Sequence, residues 1–367
     1  MTILAIDAGT TGVTCLLVDE HGKILSKGYQ EFEQHFPNPG WVEHDPEQIW
    51  QAVLSSANKA IQSTNATDIK AIGITNQRET VVLWDRATLR SPRRAIVWQD
   101  RRTAELVANL RADGIETAVQ AATGLGLDPY FSSSKLLWIS QNEPDVWSQV
   151  TAGSVAVGTV DSYLVARLSG GQSHITDASN ASRTQLMNID KGIWDEELCQ
   201  IFNVPVDALP TIVANFGTLA HTAPEHFLGV SAPITGMAGD QQAALFGQAG
   251  FNAGDNKCTY GTGAFILQNT GNKRVDSKHG LLTTVAWQTP DGEITYALEG
   301  SVFVAGSAVQ WLRDGLQIIE TAPEVNVLAN SVPDSGGLVF VPALTGLGAP
   351  QWDPDARGTI FGITRGT

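Results

Sequence analysis

The first residue in this sequence with the makings of chemistry is Asp240, in the run Gly236-Met237-Ala238-Gly239-Asp240-Gln241-Gln242-Ala243-Ala244-Leu245-Phe246-Gly247. The order of residue types predicts a strand followed by a helix whose first residue is Asp240, with its carboxylate facing outward. There it can take a proton or hold a metal ion. A plain helix cap is the alternative reading, because Asp is a favoured capping residue. A second candidate is Arg78-Glu79, which follows the apolar run Ala71-Ile72-Gly73-Ile74-Thr75. Side by side they can fork a polyol, the guanidinium donating to hydroxyl oxygens and the carboxylate accepting from hydroxyl hydrogens. As an exposed pair they would contribute little.

Two short turns share one pattern. Ala8-Gly9-Thr10-Thr11-Gly12 separates the apolar runs Ile3-Asp7 and Val13-Val18, and Gly261-Thr262-Gly263 separates Lys257-Tyr260 from Ala264-Leu267. Glycine lets the backbone turn tightly and approach a ligand, and threonine hydroxyls can donate to phosphate oxygens. One such turn is an ordinary hairpin. A pair predicts a duplicated domain whose loops grip a phosphate chain from both sides, with Asp7 at the end of the first strand.

The elements that must hold these residues are legible in outline. Asp45-Pro46-Glu47-Gln48 starts a helix with a capping Asp and Pro in the first turn, and Ile49, Trp50, Val53, Leu54, Ala57 and Ile61 give it a stripe that packs on a sheet. Strands are predicted at Val81-Trp84, Ala95-Trp98, Val155-Thr159, Leu281-Trp287, Ile294-Leu298 and Gly337-Pro342. Helices are predicted at Thr103-Leu110, Ser132-Gln141, Asp161-Leu168 and Phe303-Asp314. Trp98 should be half-buried, and Tyr130 sits in a loop from which it can enter a cleft. Thr176-Thr184 reads as a polar connection, and Leu344-Gly358 as a long loop of the kind that carries function. Phe251-Asn252-Ala253-Gly254-Asp255 is the best domain boundary, giving domains 1–250 and 251–367.

Bulk properties narrow the function. The 367 residues suffice for two domains, and 43% hydrophobic with 17% charged residues indicates a globular chain. A formal net charge of -15 argues against a general nucleic-acid surface, while local backbone N–H groups can still bind a small phosphate. There is no apolar run long enough to cross a bilayer and no basic leader, so a cytoplasmic protein without membrane insertion is expected. Cys15, Cys199 and Cys258 are odd in number and far apart, as reduced thiols are. The seven histidines have no metal-ligand spacing, and His221 and His226 read as surface residues.

The segments Gly40-Pro46, Ile74-Thr80, Trp98-Thr103, Asp128-Phe131, Ala238-Gly247 and Gly348-Gly366 together resemble the FGGY carbohydrate kinases, in the branch that acts on glycerol. The resemblance implies an α/β, actin-like and ribonuclease-H-like ATPase fold, with two duplicated domains around a cleft and the second domain truncated at Thr367. It implies glycerol and ATP as ligands, Mg²⁺ as the metal and a homo-oligomer, dimer or tetramer. By the same resemblance Arg78, Glu79, Asp240 and Gln241 bond the polyol hydroxyls, and Trp98, Tyr130 and Phe265 shape the pocket. Asp240 is then the general base. Thr10, Thr11, Gly12, Gly261, Thr262, Gly306 and Gln310 hold the nucleotide phosphates, while Asp7 and Asp240 place the metal. That branch commonly has Gln, Ser and Arg where this chain has Ala8, Gly12 and Thr14. Strand faces left apolar by the truncation should be exposed. A kinase for another polyol or ketose, an inactive fragment, and an actin-like assembly or chaperone ATPase are the competing readings; the last leaves Arg78-Glu79 and Trp98 without a role.

Overall fold

A computed structural model describes residues 2–64 and 68–366. Thr2–Ala8, Gly12–Asp19 and Ile24–Glu31 form the expected antiparallel meander. Ile69–Asn76 then joins Thr2–Ala8 in parallel, Pro233–Gly239 joins Ile69–Asn76 in parallel, and Phe216–His221 closes the edge of this six-stranded sheet. Alternation decides which face is covered. Leu4, Ile6, Ala8, Val13, Cys15, Leu17, Ile72 and Ile74 point to one side and pack with Ile49, Trp50, Val53, Ala57 and Ala60 of the helix Pro46–Thr64. Gly28 lets that helix approach, since a Cβ there would lie 1.9 Å from the Ser56 carbonyl oxygen. The other face forms a groove of about 490 Å³ lined by Ala5, Asp7, Leu16, Gly73, Phe246 and Trp287 among others.

A smaller sheet of Glu43–His44, Ala95–Ile96, Val81–Asp85 and Val155–Thr159 lies within the first half. The helices Ala104–Ala112, Glu116–Thr123, Ser132–Asn142 and Pro144–Thr151 share a core with its other face. Ala95–Ile96 stops short of the predicted Trp98 because the chain turns at Val97, whose carbonyl accepts from Asp100 N. The second half is an antiparallel sheet in the order Asn256–Tyr260, Ala264–Gly271, Ile294–Val302, Leu282–Gln288. Asn256–Tyr260, Ala264–Gly271 and Ile294–Val302 lie side by side and antiparallel, echoing Thr2–Ala8, Gly12–Asp19 and Ile24–Glu31 of the first half, and the likeness is plainest in the opening hairpin. There Tyr260 pairs with Ala264 across the second Gly-Thr turn as Ala8 pairs with Val13 across the first.

The helix predicted from Phe303 begins at Gly306, because Phe303 and Val304 are drawn into a core with Leu125, Tyr130 and Phe131. That cluster joins the two halves. Val302, Val327, Leu328, Val339, Ile360 and Phe361 in the second half are exposed, as are Phe216, Phe246 and Phe251 beside the groove. All three cysteines are free; Cys15 and Cys199 are buried and Cys258 is half-buried. His221 and His226 are exposed, as expected. Among the described residues no helix is long and apolar enough to cross a membrane.

The segment Thr176–Thr184, expected as a polar connection, contains the end of a short strand and the helix Ala178–Ala181, and it is buried throughout. Asp177 caps that helix, accepting from Ser179 N and Asn180 N. Nearby, Asp161 is wholly buried and accepts from the hydroxyls of Thr159 and Thr176 at 2.5 and 2.7 Å. Burial first, and then the Asp177 charge, push its carboxyl up to about 7. A carboxyl raised in the fold stabilises it at low pH, and that contribution disappears as pH rises through the folded value. We therefore expect Asp161→Asn to be less sensitive to alkali than the parent. The difference in unfolding free energy between the two should change between about pH 4 and about pH 7 and be flat above. Parallel urea-denaturation curves across that range would refute the assignment.

Candidate active site

Two strand ends of the first half, together with Glu299 from within a strand of the second, converge on one buried cluster of charges. Ile69–Asn76 ends just before Gln77, Arg78 and Glu79, and Pro233–Gly239 leads directly into Asp240, the first residue of the helix Asp240–Gly247. Parallel pairing of these strands sets Gly239 beside Asn76, which brings the two sequence runs together. The buried segment Thr176–Thr184 fixes both ends. Asn76 and Asn180 exchange hydrogen bonds at 3.0 and 3.1 Å, and Gly239 N donates to Ser179 Oγ at 3.0 Å.

Arg78 and Glu79 are buried, not a surface pair. The fork expected for a polyol is occupied from within the protein. Arg78 Nη1 and Nη2 donate to the two oxygens of Glu299 at 2.6 and 3.0 Å, and also to Gln242 Oε1 and Tyr130 Oη. Arg183 Nη2 reaches the same Glu299 at 3.0 Å, while its Nε donates to Glu79 at 2.7 Å. Two guanidiniums and two carboxylates thus neutralise one another away from water. Burial by itself would raise the Glu299 carboxyl, but Arg183 and Arg78 hold it down at about 2. What remains of Arg78 for a ligand is Nε, which lies 3.3 Å from Asp240 Oδ1 and 3.7 Å from Glu79. Glu79 adopts φ of 61°, a left-handed conformation that is uncommon for such a residue and tends to occur at sites where the surroundings enforce it.

Asp240 keeps a side chain 38% exposed at the mouth of this cluster. It is not the cap of its helix, a position taken by Gly239. Its oxygens instead accept from Gln241 N at 2.7 Å and Gln241 Nε2 at 3.1 Å. Asp7 is the last residue but one of its strand, close enough to Asp240 for that charge to act on it. The Asp7 carboxyl reaches solvent yet is crowded by protein, and desolvation, followed by the Asp240 charge, pushes it up to about 6.

Trp98, Tyr130 and Phe265 are brought together. Trp98 is half-buried, with its ring 5.7 Å from Tyr130 and 6.0 Å from Phe265, edge to face. Tyr130 is buried and held by its loop, whose carbonyls at Pro129, Tyr130 and Phe131 accept from the buried Lys135 ammonium. Trp98 Nε1 donates to Thr10 Oγ1 at 2.9 Å, so this aromatic group touches the first Gly-Thr turn. Gln77 ties that turn from behind, donating to the Ala8 and Gly9 carbonyls. At Gly12 a Cβ would lie 2.7 Å from the Gln30 carbonyl oxygen, which suits the glycine that this chain has there. Gly261, Thr262 and Gly306 form a second group: Gly306 N donates to the Gly261 carbonyl, and Ala305 N and Ser307 N donate to that of Thr262. Gln310 lies one turn along the same helix and is exposed. Phe265, just beyond this turn, links it to Trp98. Glu299, Arg183, Gln242 and Lys257 are the participants that sequence reasoning missed; Glu299 and Lys257 sit in strands with nothing but a charge in a buried position to mark them.

Residues 2–247 match the FGGY family of carbohydrate kinases, N-terminal domain, and residues 256–367 match its C-terminal domain. This chain belongs to the FGGY family of carbohydrate kinases. It is 51% identical over 367 residues to the glycerol kinase of Oceanobacillus iheyensis and 54% identical over 370 residues to that of Rhizobium meliloti. In both cases the match covers 100% of this chain and 73% of the relative. The crystal structure of Plasmodium falciparum glycerol kinase with ADP superposes with a TM-score of 0.89 at 40% identity, covering 100% of this chain and 73% of that one. A ligand-bound xylulose kinase from Lactobacillus acidophilus, at 24% identity and a TM-score of 0.85, shares the fold. The actin-like FGGY architecture expected from the sequence is therefore present.

The charge cluster should dominate stability locally. Glu299→Ala strands two buried guanidiniums, and we expect it to lower the unfolding free energy by roughly 3–5 kcal/mol. Urea denaturation would measure the loss, and an alanine variant as stable as its parent would show that the pairing contributes nothing to the fold.

Proposed function

We propose that this chain transfers the γ-phosphoryl group of ATP to a hydroxyl of glycerol, giving sn-glycerol 3-phosphate and ADP. The observation that carries the reading is the placement of a solvent-reachable Asp240 against Arg78 Nε and beside Gln241. In this reading Arg78 Nε and Gln241 Nε2 donate to hydroxyl oxygens, Glu79 accepts from a hydroxyl, and Trp98, Tyr130 and Phe265 cover the carbons. Asp240 accepts the proton of the attacking hydroxyl. A base at that point needs only hydrogen-bond reach and an ionised carboxylate.

Thr10, Thr11 and Gly12 on one side and Gly261, Thr262, Gly306 and Gln310 on the other hold the phosphates, chiefly through backbone N–H groups and hydroxyls. Their exposure supports this, since Thr11, Gly261, Thr262 and Gln310 are all open to a ligand. Alignment and charge neutralisation are most of what phosphoryl transfer requires. Asp7 and Asp240 suit Mg²⁺, a cation that takes one or two carboxylates and completes its shell with phosphate and water. Burial first, and then the Asp240 charge, raise the Asp7 carboxyl, and a bound cation would favour its ionised form. When bound it neutralises phosphate charge. The cytoplasmic compartment and the homo-oligomeric state belong to the same proposal, supported by three free thiols and by the exposed apolar residues.

Glycerol-dependent release of ADP tests the reading. We expect Asp240→Ala to reduce turnover by about 10²- to 10⁴-fold, the usual weight of a general base, with the glycerol KM changing less. Equal turnover in the variant would remove Asp240 from the chemistry, and phosphorylation of a ketose in preference to glycerol would overturn the substrate.

A further inference from the structure

Lys257 lies on the strand Asn256–Tyr260 in the second half of the molecule, yet its side chain reaches Gln241 in the first. It is 2% exposed, and its ammonium has three protein partners: Gln241 Oε1, Thr259 Oγ1 at 2.8 Å and the Phe265 carbonyl at 3.3 Å. Those three use all of its donors. Among the described residues none of its hydrogen-bond partners is a carboxylate, so all three bonds go to neutral oxygens, with the Glu299 and Asp240 charges acting on it from further away. Burial, then Arg78, lower the ammonium to about 8. Filling this space with methionine would avoid the desolvation of an ion.

We infer that Lys257 is a positioning residue that fixes which end of the Gln241 side-chain amide faces the polyol site. The inference rests on the glycerol reading above. An ammonium can only donate, so it selects the amide oxygen and leaves Nε2 to point the other way. There Nε2 donates to Asp240 Oδ2 at 3.1 Å. Gln241 therefore offers the site a donor next to the base, holding Asp240 in place and meeting the oxygen of the same hydroxyl whose proton Asp240 takes. Without the ammonium the amide can rotate by half a turn and set its oxygen against the Asp240 carboxylate, acceptor against acceptor. Lys257 cannot reach the phosphates while its three donors are engaged, which separates this role from nucleotide binding.

The test is Lys257→Met in the full chain, with Lys257→Gln as a second variant, since glutamine can present either end to Gln241 and so cannot orient it. The side-chain amide of Gln241 is followed by NMR, its resonances identified by their loss in Gln241→Glu. We expect slow solvent exchange in the parent and at least about tenfold faster exchange in either variant, the scale of one hydrogen bond to a charged group. The glycerol KM should rise about tenfold while the ATP KM stays within about twofold. In a Gln241→Ala background the same Lys257 change should alter the glycerol KM by less than about twofold, because the two residues act as one unit. Unchanged amide exchange would overturn the proposal, and so would a rise in the ATP KM with glycerol KM constant. A parent chain that turns over no glycerol would refute the polyol reading instead, and the exchange measurement would still decide whether Lys257 pins the amide.

Discussion

Two arginines and two glutamates, drawn from three separate stretches of chain, neutralise one another in the interior where the halves of this protein meet. Removing four charges from water is costly, and it is tolerated because each guanidinium finds carboxylate oxygens at 2.6 to 3.0 Å. The cost also gives the arrangement its meaning. Neither half can satisfy the charges alone: Arg78, Glu79 and Arg183 belong to the first half and Glu299 to a central strand of the second. Their pairing fixes the register of the two sheets at the point where Asp240 emerges.

The surroundings of Asp240 follow from that constraint. With both terminal nitrogens committed to Glu299, Gln242 and Tyr130, the Arg78 side chain cannot swing, and its remaining Nε is held toward Asp240. The buried polar segment behind the strand ends works in the same sense. Asn180 and Ser179 satisfy backbone and side-chain groups at Asn76 and Gly239 that would otherwise be left without partners in the interior. Polar side chains are used here in place of apolar packing because directional bonds locate atoms where dispersion contacts only fill volume.

Burial is graded along the cleft. The end with Arg78, Glu79, Tyr130 and Gln241 is enclosed, whereas Thr11, Gly261 and Thr262 are open. A small polyol offers only hydroxyls, and discrimination between hydroxyls requires donors and acceptors already stripped of water. A phosphate chain is larger and charged, and backbone N–H groups at a turn can bind it from an exposed position. The Thr10 hydroxyl, tied to Trp98, is where the two regimes touch.

The sequence by itself determined the local elements: the hairpins with Gly-Thr tips, the helix after Pro46 and the Asp240 strand-to-helix junction. These depend on alternation, turn residues and helical spacing between near neighbours. It also singled out Arg78-Glu79 and Gly239-Asp240-Gln241, which folding brings together, because they are compact runs. What tertiary structure alone decided is who partners whom. Thr176–Thr184 looked like a solvated connection because its composition is polar, but its polarity is consumed by strand ends more than fifty residues away. Glu299 and Lys257 carried no local signal, since a lone charge in a strand reads as a solvent-facing residue. Their roles arise only when folding brings residues over two hundred positions apart within hydrogen-bond distance, as for Arg78 and Glu299, and forces each buried charge to find its complement.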